Sequence, residues 1–577
     1  MQYKLIQGSL NDLEHPIETI LKNRGINDIE EYLSLSTASR ESYKNLDYIQ
    51  DAVKLFDYHF CNKHPIGILM DNDTDGICST AIMYKFIKSL DEDYDIRLYV
   101  HEKNKSHGLC DQDFTLDEDV KLLIVPDAGS NDVEEHARLY ENEVDCICLD
   151  HHQVTADIKN SPAIIVNNQI SDNYANKNCC GASIALEFCR ALEELYWNYE
   201  CDNLMDLAAV ANVSDVMLIS EFETKAIINE GLSNISNKMI QEIIKAQDFS
   251  MKGKVNPHTV SFYIAPLINS YIRLATYEER VLLLKAFCEI EDETFEYTKR
   301  GESFPTEENI YEHCIRIAKS YKGKQDRARD KAFKLLLEKI NNGNDDNKVE
   351  IIDATEEIDK SLTGLVAIKI SEAINKPVLL VKRMSNGTLA GSGRAFNNCP
   401  ITDFRGLAEK CPGVNFAQGH PGAYGVELDG SKVDESCKWF NEQLKDINME
   451  KIYLVDFIID INDLSVGLVK EIDEYQDIWG HGVDEPIIAI ENIIIKRSDI
   501  NVQGKNFDSI AFMINDIKFV IFKLSETDQF LEWATSWDSN EEDELEMNAI
   551  VEMSINEYNG IYTPQCMIKE YEITAQN

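Results

Sequence analysis

The stretch that decides the fold runs from Ile66 to Gly76 and reads IGILMDNDTDG. It opens with a short apolar run, Ile66–Met70, and continues at once with three aspartates in alternate positions and a glycine. A short uninterrupted apolar run predicts a strand that is buried on both faces. Asp and Gly are common where such a strand turns into a helix. The stretch therefore predicts carboxylates at the end of a buried strand.

Short apolar runs of the same kind recur after this stretch. Four further apolar runs predict strands: Ile96–Val100, Leu122–Val125, Cys146–Leu149 and Ile164–Val166. Segments between them have helical periodicity, for example Ser79–Leu90 and Asp132–Asn142. Strands that alternate with helices predict an α/β fold, with a mostly parallel sheet and helices on both of its faces.

Four acidic clusters each follow an apolar run: Asp71–Gly76, Asp127–Ser130, Asp150–Gln153 and Asn212–Val216. The carboxyl ends of parallel strands share one edge of the sheet, so side chains far apart in sequence can converge there. Any one cluster taken alone is more simply explained as a turn or a helix N-cap. Four of them in this order favour a functional site.

Carboxylates that converge raise one another's pKa unless cations neutralise them. A mixed set of carboxylates and imidazoles suits Mn²⁺ or Mg²⁺, whereas a thiolate set would indicate zinc. Two such cations about 3.5–4 Å apart can bridge a water and clamp a phosphodiester for in-line attack. The pattern therefore predicts metal-assisted hydrolysis.

The pattern of apolar and polar residues changes several times along the chain, and it predicts five segments. They are an N-terminal helical segment (1–55), a catalytic α/β domain (56–235), a helical connector (236–345), a second α/β domain (346–437) and a C-terminal β-barrel (438–577). The connector ends in the polar stretch Asn341–Lys348, and the barrel is predicted from short β-type runs that begin near Ile452.

Composition narrows the class of protein. The chain has 577 residues, 44% of them hydrophobic, and a net charge of −46, which argues against a general basic coat for nucleic acid. It does not exclude a nuclease, because binding depends on the local field of one groove. The N-terminus has no signal-peptide pattern and no run is long enough to span a membrane, so a soluble cytoplasmic protein is expected. The 15 cysteines form no C-x-x-C pair and are expected to be reduced thiols rather than zinc ligands.

Several motifs together resemble one family. The four acidic clusters resemble motifs I to IV of the DHH phosphoesterase superfamily, and specifically of its RecJ members. Further matches are LKNRGI at 21–26, APLINS at 265–270 with Arg273, GSGR at 391–394, QGHPGA at 418–423, and SINEYNG at 554–560 followed by TPQ at 563–565. The resemblance covers nearly the whole chain. It implies a DHH domain at 56–235, a DHHA1 domain at 346–437 and an OB-fold at 438–577.

The resemblance also implies roles, position by position. The metal ligands would be Asp71, Asp73, Asp75, Asp127, His151 and Asp215, holding two divalent cations, Mn²⁺ first and Mg²⁺ as the alternative, with Asp127 bridging them. Asp150 would orient His151, and His152 would contact the scissile phosphate or help to protonate the leaving oxygen. Nucleic-acid contacts would come from Ser392, Arg394, His420, Arg273, Lys103, Lys105 and Tyr558. Phe512 is a second candidate for base stacking, with the barrel core as the alternative.

The chain departs from the family pattern at three places. Gln418 replaces the first glycine of the G-G-H motif, with Pro421 after the histidine, and Leu267 replaces an arginine. The segment 101–108 carries lysines where the family has arginine, and lysine is a point charge that cannot copy a guanidinium fork. End recognition or processivity is therefore expected to differ.

The resemblance implies a 5′→3′ exonuclease that is specific for single-stranded DNA, releases mononucleotides and acts in DNA repair or recombination. The three named domains, arranged around a narrow channel, would select single strands. Two alternatives are an oligonucleotide or cyclic-dinucleotide phosphodiesterase and a catalytically silent replication scaffold of the same superfamily. Expected partners are single-stranded DNA and a single-strand-binding protein or helicase, for a monomer that needs no membrane.

Overall fold

A computed structural model describes the chain except for residues 7–11, 35–38, 104–106, 110–113, 199, 300, 342–346, 360–361, 526, 537–541, 559 and 577. The chain forms two compact units. The first, here the parallel-sheet unit, comprises Arg24–Lys322 and Tyr475–Glu485. The second, here the mixed-sheet unit, comprises Met1–Asn23, Gly323–Glu474 and Pro486–Asn577. The five predicted segment boundaries stay a prediction.

Strand β1 (Gln2–Leu5) and helix α1 (Pro16–Asn23) begin the chain and belong to the mixed-sheet unit. The parallel-sheet unit then follows with helices α2 (Ile29–Ser34) and α3 (Ile49–Cys61). Its central sheet has five strands, β2 (Ile66–Met70), β3 (Ile96–Val100), β4 (Leu122–Pro126), β5 (Asp145–Asp150) and β6 (Ile164–Asn167). They lie in the order β3-β2-β4-β5-β6, and every neighbouring pair is parallel. The predicted α/β fold is confirmed.

Local sequence explains these strands and the helix that follows β2. Strands β2 and β4 are buried along their whole length, as uninterrupted apolar runs require. The predicted strand bounds are met to within one residue. Helix α4 (Thr74–Leu90) begins five residues before the predicted Ser79, because Asp73 caps it: the Gly76 N–H donates to Asp73 Oδ1 at 3.0 Å.

The remaining helices of the parallel-sheet unit are α5 (Val133–Glu141), α6 (Gly181–Tyr196), α7 (Met205–Ser214), α8 (Phe222–Ser233), α9 (Lys238–Met251), α10 (Pro257–Thr259), α11 (Ala265–Leu274) and α12 (Tyr277–Phe287). A π-helical turn, Val260–Ile264, joins α10 to α11. The hairpin β7 (Thr294–Tyr297) and β8 (Thr306–Asn309) then leads into the long helix α13 (Ile310–Asn341). The described residues between 236 and 341 are therefore rich in helix, as predicted, apart from this hairpin.

The mixed-sheet unit contains two larger sheets. The first is built from β9 (Glu350–Asp353), β10 (Val378–Arg383), β11 (Thr388–Arg394), β12 (Val414–His420) and β13 (Ala423–Asp429), in the order β12-β13-β11-β10-β9. Helices α14 (Thr363–Ile374), α15 (Phe404–Glu409) and α16 (Val433–Gln443) accompany it. Its core includes Leu379, Val381, Phe404 and Phe440.

The C-terminal part begins with β14 (Ile452–Val455), which pairs in parallel with β1. A seven-stranded sheet follows, built from β15 (Phe457–Asp460), β16 (Ile488–Lys496), β17 (Asn501–Gln503), β18 (Ser509–Ile514), β19 (Ile517–Ile521), β20 (Glu544–Tyr558) and β21 (Ile561–Gln576). Its order is β15-β16-β20-β21-β19-β18-β17, and helices α17 (Val466–Glu474) and α18 (Gln529–Thr535) accompany it. In the described residues, no helix is both long and apolar enough to cross a membrane.

One segment of the C-terminal part belongs to the parallel-sheet unit. Tyr475–Glu485 leaves the mixed-sheet unit and packs next to α8, where the Ile219 N–H donates to the His481 carbonyl at 2.9 Å. The buried Lys225 ammonium donates to the Asp477 carbonyl at 3.3 Å. Sequence periodicity could not show this exchange, because the contacts join residues far apart in the chain.

Candidate metal centre at the carboxyl edge of the parallel sheet

Three adjacent strands deliver acidic side chains to one edge of the parallel sheet. Asp71 follows β2, Asp127 follows β4, and Asp150 is the last residue of β5 with His151 directly after it. This is the convergence that the sequence predicts. Asp215 reaches the same place differently: the apolar run before it is helix α7, not a strand, and Asp215 is the residue directly after that helix.

The predicted metal ligands form two groups of neighbouring donor atoms. Asp75, His151 and Asp215 make the first, and Asp71, Asp73 and Asp127 make the second; in each group the donor atoms lie within 4.8 Å of one another. His151 Nε2 links the groups, at 3.2 Å from Asp127 Oδ1, 3.5 Å from Asp215 Oδ2 and 3.6 Å from Asp75 Oδ2. The structure thus brings all six residues together.

Backbone N–H groups hold the carboxylates in place. Asp75 accepts from Gly181 N at 2.6 Å and from Ala182 N at 2.8 Å, both at the start of α6, where the helix dipole also favours a negative charge. Asp71 accepts from Gly108 N at 3.2 Å. These bonds fix the positions of the carboxylates and leave them further lone pairs for a cation.

Asp127 is the strained member of the site. Its φ of 65° lies in the left-handed region, which is uncommon for residues other than Gly although Asn and Asp adopt it more often than most. Its carboxylate is almost fully buried, and among the described residues Oδ1 accepts no well-aligned hydrogen bond, although His151 Nε2 lies 3.2 Å away. A buried, unsatisfied carboxylate oxygen is costly unless something else binds it. The donor set is oxygen and imidazole nitrogen, which suits Mn²⁺ or Mg²⁺. The residues therefore fit a pair of divalent cations.

The electrostatics of the clustered carboxylates agree with this fit. Burial and the charges of Asp71 and Asp75 raise the pKa of Asp73 to about 6. Burial and the same kind of repulsion raise the pKa of Asp215 to about 8 and that of Asp127 well above its ordinary value. Burial lowers the pKa of His151, which keeps the imidazole neutral and able to bind a cation. The carboxylates destabilise one another until positive charge arrives.

Asp150 holds His152 rather than the ring of His151. Its Oδ1 lies 2.8 Å from His152 Nδ1 and accepts the backbone N–H groups of His151 and His152, and its Oδ2 accepts Ser130 N at 3.0 Å. Asp150 was expected to orient His151; it contacts that residue through the backbone N–H, whereas the imidazole that it contacts is that of His152, because the turn after β5 places the second histidine next to the carboxylate. Burial opposes protonation of His152, but the bond to Asp150 outweighs it and raises its pKa to about 9.

A third histidine, His107, was not predicted. Its Nδ1 lies 3.0 Å from Asp71 Oδ2, and its ring centroid is 5.0 Å from that of His152. The hydrogen bond with Asp71 raises the pKa of His107. The one available signal was its place in the segment 101–108, which follows β3 at the same sheet edge and departs from the family pattern.

The predicted nucleic-acid contacts lie in both units. Arg273, on α11, is close enough to Asp73 for its charge to oppose part of the rise in the pKa of that carboxyl, and Lys103 is exposed. In the mixed-sheet unit, Ser392 and Arg394 lie on β11 and His420 ends β12. Arg394 donates to the carbonyls of Gly393 and Tyr424, and Ser392 Oγ lies 2.9 Å from Thr363 Oγ1. Lys105 lies outside the described residues.

The two aromatic candidates for base stacking differ. Tyr558 is 71% exposed near the end of β20 and is available for stacking. Phe512 is buried and stacks on Phe519 with ring centroids 5.1 Å apart, so it belongs to the core and is not a stacking surface. Leu267, at the position where the family has arginine, is likewise buried in α11.

A parallel sheet that carries aspartates and paired histidines at its carboxyl edge defines a DHH-type domain. The chain matches the family model of the DHH family N-terminal domain over residues 65–212 and that of the RecJ OB domain over residues 455–570. The latter match confirms the predicted OB-fold.

Known proteins extend the match to the whole chain. A putative SPbeta prophage-derived single-strand DNA-specific exonuclease, YorK, of Bacillus subtilis is 34% identical over 579 residues, which cover 99% of this chain and 98% of that protein. The single-stranded-DNA-specific exonuclease RecJ of the same organism is 24% identical, covering 97% of this chain and 68% of that protein. RecJ of Thermus thermophilus, solved in complex with Mn²⁺, matches with a TM-score of 0.71 at 18% identity, covering 97% of this chain and 76% of that one. The chain belongs to the RecJ family of single-strand DNA-specific exonucleases.

The close approach of α6 to the site gives a first prediction. A Cβ added at Gly181 would lie 2.6 Å from the Cα and Cβ of Asp127, which is closer than such atoms approach. Gly181→Ala is therefore expected to displace Asp127 and abolish binding of Mn²⁺ while the protein still folds. Isothermal titration with Mn²⁺ and circular dichroism measure the two effects.

The matched control is Gly467→Ala, where the added Cβ would meet only Ser465 Oγ at 3.6 Å. It should bind Mn²⁺ like the wild type. Unchanged Mn²⁺ binding by Gly181→Ala would contradict the geometry described for Asp127.

The repulsion among the carboxylates gives a second prediction. Mn²⁺ at about 100 times its dissociation constant should stabilise the wild type by about 2.7 kcal/mol for each cation bound. Asp127→Asn should raise the stability of the metal-free protein at neutral pH and lose the stabilisation by Mn²⁺. Asn is chosen because it tolerates the left-handed backbone of this position, which Ala does not. Thermal unfolding with and without Mn²⁺ measures both effects.

The direction of this stability change follows from the difference in the pKa of Asp127 between the folded and the unfolded protein. A carboxyl whose pKa is raised in the folded state binds protons more tightly there than in the unfolded state. Its contribution to stability therefore falls as the pH rises above its pKa in the unfolded chain, which is about 3.9. The gain from Asp127→Asn should therefore vanish near pH 4. A metal-free Asp127→Asn protein that is less stable than the wild type at neutral pH would contradict this account.

Proposed function

We propose that the chain is a metal-dependent exonuclease that hydrolyses single-stranded DNA from its 5′ end and releases 5′-mononucleotides. The observation that carries the proposal is the pair of donor groups, Asp71, Asp73 and Asp127 on one side and Asp75, His151 and Asp215 on the other. The substrate class rests on the relatives, which are named as single-strand DNA-specific exonucleases.

The two donor groups would each hold one divalent cation, Mn²⁺ or Mg²⁺, with Asp127 placed to bridge them. Bound cations would lower the pKa of the attacking water and neutralise charge on the phosphate. Asp150 holds the His152 ring at 2.8 Å, and this ring is 44% exposed, so it can reach a substrate atom. His152 therefore contacts the scissile phosphate or delivers a proton to the leaving oxygen.

Basic and aromatic side chains would hold the strand. Arg394, Ser392 and His420 can donate to backbone phosphates, with the guanidinium the strongest of the three because it can bind two oxygens at once. Arg273 and Lys103 would meet phosphates next to the metal centre, and exposed Tyr558 would stack on a base. The protein would work as a monomer in the cytoplasm, in repair or recombination, and a single-strand-binding protein or a helicase would deliver its substrate.

End-labelled DNA tests the reaction directly. With Mn²⁺, a 5′-labelled single strand should yield labelled mononucleotide at the earliest times, whereas a 3′-labelled strand should shorten progressively. Duplex DNA and reactions with EDTA should give no product, and Asp127→Asn should be inactive. Cleavage of dinucleotides without cleavage of long strands would indicate a phosphodiesterase, and DNA binding without cleavage under either metal would indicate a scaffold; each would overturn the proposal.

The role of His152 can be separated from metal binding. Removal of a group that transfers a proton or contacts the phosphate should lower turnover by about 10²–10⁴-fold. His152→Ala should therefore lose turnover to this extent while Mn²⁺ still raises its melting temperature as in the wild type. His151→Ala is the matched comparison and should lose both properties. If His152→Ala also lost the Mn²⁺-induced shift, His152 would act on the cations and the assigned role would be wrong.

A further inference from the structure

A second group of side chains of the metal-ligand type lies inside the parallel-sheet unit, between strand β5 and helix α5. It consists of Cys146 and Cys148 on β5 and His136 on α5, all of them buried. Cys146 Sγ lies 3.9 Å from Cys148 Sγ, and Cys148 Sγ lies 3.4 Å from His136 Nε2. The three donor atoms all lie within 4.8 Å of one another.

These separations match those of a metal site. With Zn–S bonds of about 2.3 Å and Zn–N bonds of about 2.0–2.1 Å, a tetrahedral ion holds two sulfurs about 3.8 Å apart and a sulfur about 3.6 Å from a nitrogen. Cys146 and Cys148 alternate along the strand, so their side chains leave it on the same face. Helix α5, which packs on that face of the strand, supplies the imidazole of His136.

The histidine is prepared for such a role. Its Nδ1 lies 2.9 Å from Ser161 Oγ, which can accept the Nδ1 proton and so leave the Nε2 lone pair facing Cys148. Burial lowers the pKa of His136 and keeps the ring neutral, although the charge of Asp132 and a hydrogen bond with the Gly129 backbone act in the other direction. A neutral imidazole with its far nitrogen held by a hydroxyl is the usual arrangement of a metal-bound histidine.

We infer that Cys146, Cys148 and His136 form a structural site for a single Zn²⁺ ion, separate from the catalytic cations. Two thiolates and a neutral imidazole around Zn²⁺ carry no net charge, which lowers the cost of burying the ion, and a water molecule would fill the fourth tetrahedral position. Thiolate ligands select this ion over Mn²⁺ and Mg²⁺, which prefer oxygen. The alternative is a pair of protonated core thiols, one of which donates to the histidine.

Binding of Zn²⁺ would involve the loss of both thiol protons. In the metal-free protein, the hydrogen bond with Cys146 and burial raise the pKa of Cys148 well above its ordinary value. The ion would therefore displace two protons to solvent as two Zn–S bonds and one Zn–N bond form. The bound ion would tie α5 to β5, two residues before Asp150, and so brace the turn that carries His151 and His152.

Cobalt substitution distinguishes this site from the catalytic one. Full-length protein, refolded with Co²⁺ under reducing conditions, should show a thiolate-to-cobalt charge-transfer absorption that saturates at one ion per chain. The catalytic centre has only oxygen and nitrogen donors and cannot give this band, so Asp127→Asn should retain it. Cys146→Ser and Cys148→Ser should each lose it. Cys189→Ser, which changes another fully buried thiol, is the matched control and should retain it.

Zinc content supplies a second readout that does not depend on refolding. In the Asp127→Asn background, protein purified from zinc-supplemented cells should contain one zinc per chain, and adding Cys146→Ser should remove it. Circular dichroism of both proteins shows whether the fold is retained. Wild-type protein without a charge-transfer band, or equal zinc content with and without Cys146, would overturn the inference and leave the exonuclease proposal untouched.

Discussion

Mutual repulsion of buried carboxylates is the constraint on which the rest of this structure depends. Several aspartates meet at one sheet edge, and backbone N–H groups make most of the hydrogen bonds that hold them there, with the His107 ring as an additional contact of Asp71. Gly181 and Ala182 anchor Asp75, and Gly76 anchors Asp73. Dipoles of this kind fix position without cancelling charge, so the site remains a strong receptor for cations.

The same constraint explains local backbone features that would otherwise be unfavourable. Asp127 adopts a left-handed conformation, and α6 begins with a glycine because its backbone touches Asp127. Val216, directly after Asp215, also has a positive φ of 59°, which is rare for a β-branched residue. Strain of this sort collects at functional sites, where the surrounding fold holds it.

The sequence predicts the parallel sheet well because burial on both faces leaves a local signature, the uninterrupted apolar run. It also predicts which aspartates converge, because strand direction alone decides which ends share an edge. Contacts between distant residues leave no such signature. The pairing of Gln2–Leu5 with Ile452–Val455 and the return of Tyr475–Glu485 to the parallel-sheet unit were therefore missed.

Within the site, the features that the sequence did not predict also depend on contacts between residues that are distant in the chain. The contacts of His107 with Asp71 and of Asp150 with His152 depend on how two loops fold over the sheet edge. The burial of the Phe512 ring was not predicted firmly, because the alternation of residues along its strand did not show which face is buried. The cysteines of β5 form no C-x-x-C motif, so only their distance from His136 marks them as a possible ligand set.

The central claim, that six side chains hold two cations, is tested most directly by a crystal structure of the full-length protein grown with Mn²⁺ and recorded at the manganese absorption edge. The account predicts two anomalous peaks about 3.5–4 Å apart, one beside Asp73 and one beside Asp215, with Asp127 between them. A single peak, or peaks away from these carboxylates, would contradict it.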